Sequence, residues 1–208
     1  MDALGQALSI LDYAAVGVFG ATGALAAARR KHDIVTFSFF AAITGVGGGT
    51  LRDLLIGAPV FWVGRPAYLA VTLGAALAVW VFGWGRRGER ILTWFDAVGM
   101  ASYAVVGTLK ATSLGVPPLS AVVMGVLTST FGGIIRDVLA EEPSVLLRRE
   151  LYVSAALAGA AAFAALRALG VEILPASLAG FALAFGVRAG AIVFHWQMPA
   201  FPGRTPES

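Results

Sequence analysis

Apolar residues run along this chain in stretches long enough to cross a bilayer, and polar residues gather in short breaks between them. A spanning helix needs roughly 20 predominantly apolar residues. The pattern predicts seven, over residues 4–28, 34–57, 66–84, 91–112, 117–139, 151–170 and 173–196. Basic residues concentrate in alternate breaks: Arg29, Arg30 and Lys31 after the first stretch, Arg86, Arg87 and Arg90 after the third, Arg148 and Arg149 after the fifth. The other breaks hold little beyond Arg65, Arg167 and Lys110. Loops rich in Lys and Arg stay cytoplasmic, so the N-terminus is expected outside and the short C-terminal tail inside. Trp62, Trp84, Trp94 and Trp196 fall near the ends of stretches, where interfacial aromatic residues belong. The first stretch offers small residues at Ala26 to Ala28, as a secretory signal does, but it has no basic leader and carries Asp12 within its apolar part. It is read as a helix.

Composition narrows the class. Of 208 residues, 58% are hydrophobic and 13% charged, with a mean hydropathy of +0.82. Soluble domains carry about 25% charged residues, so the fold class expected is an all-α integral membrane protein. The net charge of +3 is spread over short clusters between apolar runs, not over the grouped basic face that nucleic acid requires. No nucleic-acid partner is expected. Without cysteine there is no disulfide, thiolate metal site or Cys nucleophile.

Displacing the chain against itself by 84 positions aligns two units without a gap. Asp12 meets Asp96, Gly23 meets Gly107, Thr44 meets Thr128, and Gly48 and Gly49 meet Gly132 and Gly133. Arg52 and Asp53 meet Arg136 and Asp137, Pro59 meets Pro143, Arg65 meets Arg149, and Tyr68 meets Tyr152. Coincident Asp, Arg, Pro and Tyr in one register indicate a duplicated three-helix unit. An odd number of crossings forces the second unit to enter from the opposite side, which makes an inverted-topology repeat of the kind found in transport proteins. The expected organisation is a first repeat at 1–90, a second, inverted repeat at 91–170, a seventh transmembrane helix at 171–197 and a tail at 198–208.

Each unit places a glycine run three residues before an Arg-Asp pair, in GVGGGTLRD from Gly45 and in TFGGIIRD from Thr130. Glycine costs a helix about 1 kcal/mol relative to alanine, so Gly47, Gly48, Gly49, Gly132 and Gly133 are expected to break or kink the second and fifth helices beside a cavity. The alternative is that they only allow close packing. The first run lacks the GK[ST] ending of a phosphate loop.

Charges inside the hydrocarbon are costly and mark candidate function. Adjacent residues do not face each other on a helix, so Arg52 is expected to find a partner other than Asp53. Asp12 lies roughly 12 Å into the first helix, at a depth that suits Arg52, and Asp96 suits Arg136 in the same way. One Asp–Arg cluster in each leaflet is therefore expected, acting in a pathway or stapling helices together. Lys110, with no acid near it in sequence, either snorkels to the interface or senses the membrane field. Arg188 and His195 are expected to anchor the inner half of the seventh helix. Thr22, Thr44, Ser102, Tyr103, Thr128 and Ser129 either line a wet path or bond their own backbones. No HExxH, GxSxG or metal-spaced carboxylate motif occurs, and His32 and His195 lie far apart. Neither an enzyme nor a cofactor is expected.

Two three-helix units carrying GGGTLRD and FGGIIRD, followed by a seventh helix, resemble the trimeric intracellular cation (TRIC) channel family. The likeness is to its prokaryotic members, whose repeat is also called a glycine-transporter domain, and it covers roughly residues 4–196. It implies a multi-pass protein of the prokaryotic cytoplasmic (inner) membrane, in contact with membrane lipid. It further implies a homotrimer with one pore per subunit, conducting monovalent cations and chiefly potassium. The second and fifth helices would line the pore, with Arg52 and Arg136 beyond the kinks and Lys110 as the voltage-responsive base. Animal members carry Lys-Glu-Val where this chain has Leu-Arg-Asp, so their phosphoinositide recognition is not carried over. A secondary transporter of glycine or another small zwitterion fits inverted repeats nearly as well. A structural protein without transport leaves the buried charges without a role.

Overall fold

The computed structural model describes residues 3–82, 88–146 and 150–199. Arg86, Arg87, Arg148, Arg149, Trp84 and most of the tail expected at 198–208 lie outside the described residues. Seven helices fill the rest: α1 Ala3–Arg29, α2 Ile34–Leu55, α3 Ala67–Phe82, α4 Gly88–Ser113, α5 Pro118–Leu139, α6 Val153–Ala168 and α7 Ile173–Phe194. Local chemistry sets the helix ends. The Asp33 carboxylate accepts from the Thr36 amide at 2.8 Å and caps α2. Pro117 and Pro118 open α5, where a missing N–H costs nothing. His195, at φ 55°, closes α7 in the left-handed region.

The sequence places every helix, with two shorter than expected. α3 and α6 have 16 residues each, below the roughly 20 of a full span. The α2–α3 connection takes up the difference on one side. It folds back on α2, and the Trp62 indole donates to Thr50 Oγ1 at 2.9 Å. Trp62 is thus held by the protein itself. α2, α4 (over Arg90–Ser113), α5 and α7 are each long and apolar enough to cross a membrane.

α1 packs on α2, α3 and α4, while α4 packs on α5, α6 and α7, and α2 and α5 meet between the two groups. The core is narrow and built of small residues around Val16, Phe19, Met100 and Tyr103. Phe19 and Tyr103, equivalent in the repeat register, stack with ring centroids 5.3 Å apart. Exposure runs opposite to that of a water-soluble protein. Leu119 is 80% exposed and Phe82 75%, while Arg52, Arg136 and Arg188 are each 3% exposed. Apolar side chains face outward and charges face inward, as a surrounding of hydrocarbon requires.

Candidate functional site

The site begins where α2 and α5 cross. A Cβ on Gly48 would collide with the Thr128 carbonyl oxygen, and one on Gly132 with that of Thr44. Moving from Gly48 to Thr44 on α2 corresponds to moving from Thr128 to Gly132 on α5, so the helices cross antiparallel. The two contacts are the same contact made twice, since Gly48 and Gly132, and Thr44 and Thr128, are equivalent positions. Of the break or kink expected at these glycines, the break does not occur: α2 and α5 run as continuous helices from end to end. Backbone-to-backbone approach uses the missing side chains, and an unbroken helix leaves no buried amide unsatisfied. Gly49 serves differently, leaving room for the Phe61 ring, and Gly133 faces Asp96 and the Tyr152 hydroxyl.

At one end of the bundle, where α1 begins, lies a first charged cluster. Arg52 Nε donates to Asp53 Oδ1 at 2.9 Å, and Lys110 Nζ lies 2.8 and 2.9 Å from the two Asp53 oxygens. The Phe61 amide donates to Asp53 Oδ2 at 3.0 Å. One expectation is corrected here, and one of two alternatives falls away. Arg52 does pair with its sequence neighbour, because both sit in the last turn of α2, where the returning connection fixes the carboxylate and the long guanidinium bends to reach it. Lys110 does not snorkel outward but turns toward a carboxylate 57 positions away. The Arg52 and Lys110 cations also flank the Phe61 ring, at 5.9 and 5.6 Å. Asp12, expected to pair with Arg52, instead accepts from the Tyr68 hydroxyl at 2.6 Å.

At the second end, where α1 stops and α4 begins, the pattern recurs with different partners. Arg136 reaches Asp137 Oδ1 through Nε at 3.0 Å and Nη2 at 2.8 Å, and the Val145 amide donates to Asp137 Oδ2 at 2.9 Å. Here the expected partner is also present. Arg136 Nη1 lies 2.6 Å from Asp96 Oδ1 and 3.2 Å from Thr22 Oγ1. Each Arg-Asp pair thus ties its helix to the connection that follows, at the eighth residue after the aspartate.

A cavity of about 270 Å³ opens beside the Asp96–Arg136 pair. Its charged lining consists of Arg29, Arg136 and Arg188 against Asp96, Asp137, Glu142 and Glu150. Among the described residues four carboxylates face three guanidinium groups, an excess of one negative charge. Two further pairs stand on its rim, Arg29–Glu142 at 2.7 Å and Arg188–Glu150 at 2.8 Å. Arg188 anchors the end of α7 as expected, through an ion pair and through the Tyr152 ring 5.1 Å away. Glu142, Glu150 and Phe61 carried no signal in the sequence, for none has a like residue in the repeat register.

Of the hydroxyls expected to line a wet path, all but the half-buried Ser102 are buried. Thr128 and Ser129 bond to their own helix at Met124 and Val126, and Ser102 to Val98. Tyr103 donates across to the Gly45 carbonyl at 3.3 Å. Thr44 Oγ1 is buried without a hydrogen-bond partner. None of these residues lines the charged cavity, whose hydroxyl is Thr93.

Comparison with known proteins agrees with this geometry. A family model described as glycine transporter matches residues 9–84 and again 93–168. The two matches stand in the register of the internal repeat. The crystallised TRIC trimeric intracellular cation channel orthologue from Rhodobacter sphaeroides is similar with a TM-score of 0.89 and 47% identity, over 91% of this chain and 99% of that one. A prokaryotic TRIC channel solved in 0.5 M KCl gives a TM-score of 0.85 at 26% identity, over 93% and 99% of the two chains. The Escherichia coli K12 inner membrane protein YadS is 36% identical over 197 residues, covering 92% of this chain and 94% of its own length.

Proposed function

This chain belongs to the prokaryotic TRIC channel family, and from that premise we propose that it is a monovalent-cation channel whose pathway runs within the single chain. The observation that carries the proposal is the cavity at the second end, where among the described residues four carboxylates outnumber three guanidinium groups inside a bundle with an apolar exterior. In a low-dielectric enclosure an unbalanced carboxylate raises the local concentration of cations, and rings of acidic side chains select cations in pores. Potassium is the proposed ion, and a homotrimer with one pore per subunit the proposed assembly. α2 and α5 line the pathway on either side of their crossing, with the Arg52–Asp53–Lys110 cluster at one mouth and Arg136–Asp96–Asp137 at the other. Asp12 holds the first mouth through Tyr68, and Thr44, Thr128, Ser129 and the glycines at 47–49 and 132–133 form the constriction between. The two units are an inverted repeat, in keeping with the antiparallel crossing. The N-terminus lies outside, and the second end faces the cytoplasm of a bacterial inner membrane.

Both charged clusters are closed by ion pairs, so conduction requires them to loosen. Arg136 is the group to test. Purified protein in planar bilayers in symmetric potassium chloride is expected to show discrete openings, and Arg136→Gln, in a protein that still assembles, to change their conductance or frequency. Silence from folded protein, with saturable counterflow of labelled glycine in liposomes, would overturn the proposal. The cavity's mixed charges would then bind the carboxylate and ammonium of a small zwitterion.

A further inference from the structure

Two cavities at the second end share a wall. Beside the larger one lies a smaller cavity of about 170 Å³, lined by Thr93, Glu150, Ala191, Ile192, His195 and Gln197. Thr93 and Glu150 line both. Arg188 lines only the larger, and His195 and Gln197 only the smaller, so Glu150 stands at the partition.

The two members of the Arg188–Glu150 pair are held very differently. The Arg188 side chain is 3% exposed and that of Glu150 35%. Arg188 is fixed from the protein side by the Tyr152 ring, and its Nε is buried without a hydrogen-bond partner. Moving this guanidinium would strip a buried cation of its surroundings, whereas Glu150 already reaches the wet face. The pair therefore opens by movement of Glu150. His195, in the left-handed region, turns the chain after α7 so that Gln197 bridges Glu150 antiparallel. The segment after α7, at Gln197, and the segment before α6, at Glu150, thus frame one opening. A Glu150 side chain turned toward His195 joins the two cavities into a passage from the surface to Asp96.

We infer that this passage, between the start of α4, the end of α7 and the segment at Glu150, is the access route for cations at the second end. Glu150 is the carboxylate that a monovalent cation meets first, and its pairing with Arg188 is the latch. The inference rests on the cation-channel proposal. One carboxylate beside one hydroxyl-bearing residue binds a monovalent ion weakly enough to release it onward, as conduction demands.

The chain contains no cysteine, so Thr93→Cys supplies a single reporter thiol on both cavities. The protein would be reconstituted in liposomes and exposed, from the second-end side, to a permanently cationic methanethiosulfonate and to an anionic one. Labelling would be followed by mass spectrometry, with each rate normalised to that of a free thiol. The cationic reagent is expected to label about tenfold faster, at the low end of electrostatic focusing in a charged cleft. Glu150→Gln in the same background should bring the ratio close to one. Equal rates for the two reagents, or a ratio that Glu150→Gln leaves unchanged, would overturn the inference. If Glu150→Gln does not assemble, the ratio in Thr93→Cys alone decides, together with its decline as salt shortens the Debye length. Labelling is read on the protein and not as current, so the two proposals fail separately. Bilayer openings without charge-selective labelling remove the passage and keep the channel. Silent bilayers remove the channel, and with it the role of the passage.

Discussion

Gly47 and Gly48 are neighbours on α2, both buried, yet the structure assigns them opposite responses to the same substitution. A Cβ at Gly48 would lie against the Thr128 carbonyl oxygen at less than a van der Waals separation, with backbone carbon and Cα of Thr128 close behind. Carbon and carbonyl oxygen rest about 3.3–3.6 Å apart, so Gly48→Ala must part the contact between α2 and α5 by more than about 1 Å at their closest point. A gap of about 0.5–1 Å already forfeits about a quarter to a half of a dispersion contact, so the seam beside Gly48 loses at least that. Overpacking of this kind costs about 1–3 kcal/mol, partly offset by about 1 kcal/mol of improved helix propensity. A Cβ at Gly47 would meet only Ile135 Cδ1, at 3.1 Å, the end of a flexible side chain that can move aside. Gly47→Ala should therefore be neutral or stabilising by up to about 1 kcal/mol. For a chain of this size about 1 kcal/mol corresponds to a Tm shift of 2–4 °C. Thermal unfolding in detergent should accordingly show Gly48→Ala melting lower, by up to about 8 °C, and Gly47→Ala unchanged or up to about 4 °C higher. If these glycines were present to bend the helix, neighbouring positions would suffer alike. A Gly47→Ala loss equal to that of Gly48→Ala would refute close crossing as their purpose.

Asp53 is fully buried and holds Arg52, Lys110 and the Phe61 amide together, so Asp53→Asn strands two cations. Its unfolding free energy should fall by about 3–5 kcal/mol, whereas Lys110→Gln, at a partly exposed amine that leaves the Arg52–Asp53 pair intact, should cost clearly less; equal losses in a denaturation series would contradict the cluster. Arg29 and Glu142 form a pair only a quarter or less exposed at each side chain, joining the last residue of α1 to the connection after α5. A double-mutant cycle on Arg29→Gln and Glu142→Gln should give a coupling of about 0.5–1 kcal/mol that shrinks as salt rises, and a coupling indifferent to salt would argue against an ionic contact.

The seven helices were legible in the sequence because hydrocarbon imposes length and apolarity on each span independently of its neighbours. The repeat was legible too, since Asp, Arg, Pro and Tyr rarely coincide by chance, and it led to the Asp96–Arg136 contact. The first-end partners were not. Lys110 and Asp53 are brought together because α2 and α4 both pack on α1 and α5, and no local rule links positions 57 apart. The Arg52–Asp53 pairing escaped because helix geometry forbids it in mid-helix, and only the returning connection with Phe61 makes it possible. The glycine runs were ambiguous for a related reason. Weak helix propensity accompanies both a break and a close crossing, and which one results depends on what lies opposite. Glu150 was invisible because its importance comes from the cavities on either side of it.

The doubled Gly48–Thr128 and Gly132–Thr44 contact has a consequence for how such a protein arises. A joint in which both faces are the same face needs no second surface to be invented: one three-helix unit already carries its own complement, as in an isologous dimer. Copying the unit therefore supplies a finished interface, and what copying cannot supply is any difference between the two mouths. That difference sits where the copies have drifted apart, with Lys110 standing opposite Ala26 in the register and Thr22 opposite Val106. Lys110 adds a cation at one mouth and Thr22 a hydroxyl for Arg136 at the other. The joint common to both units holds the molecule together, and a handful of unmatched side chains gives it a front and a back.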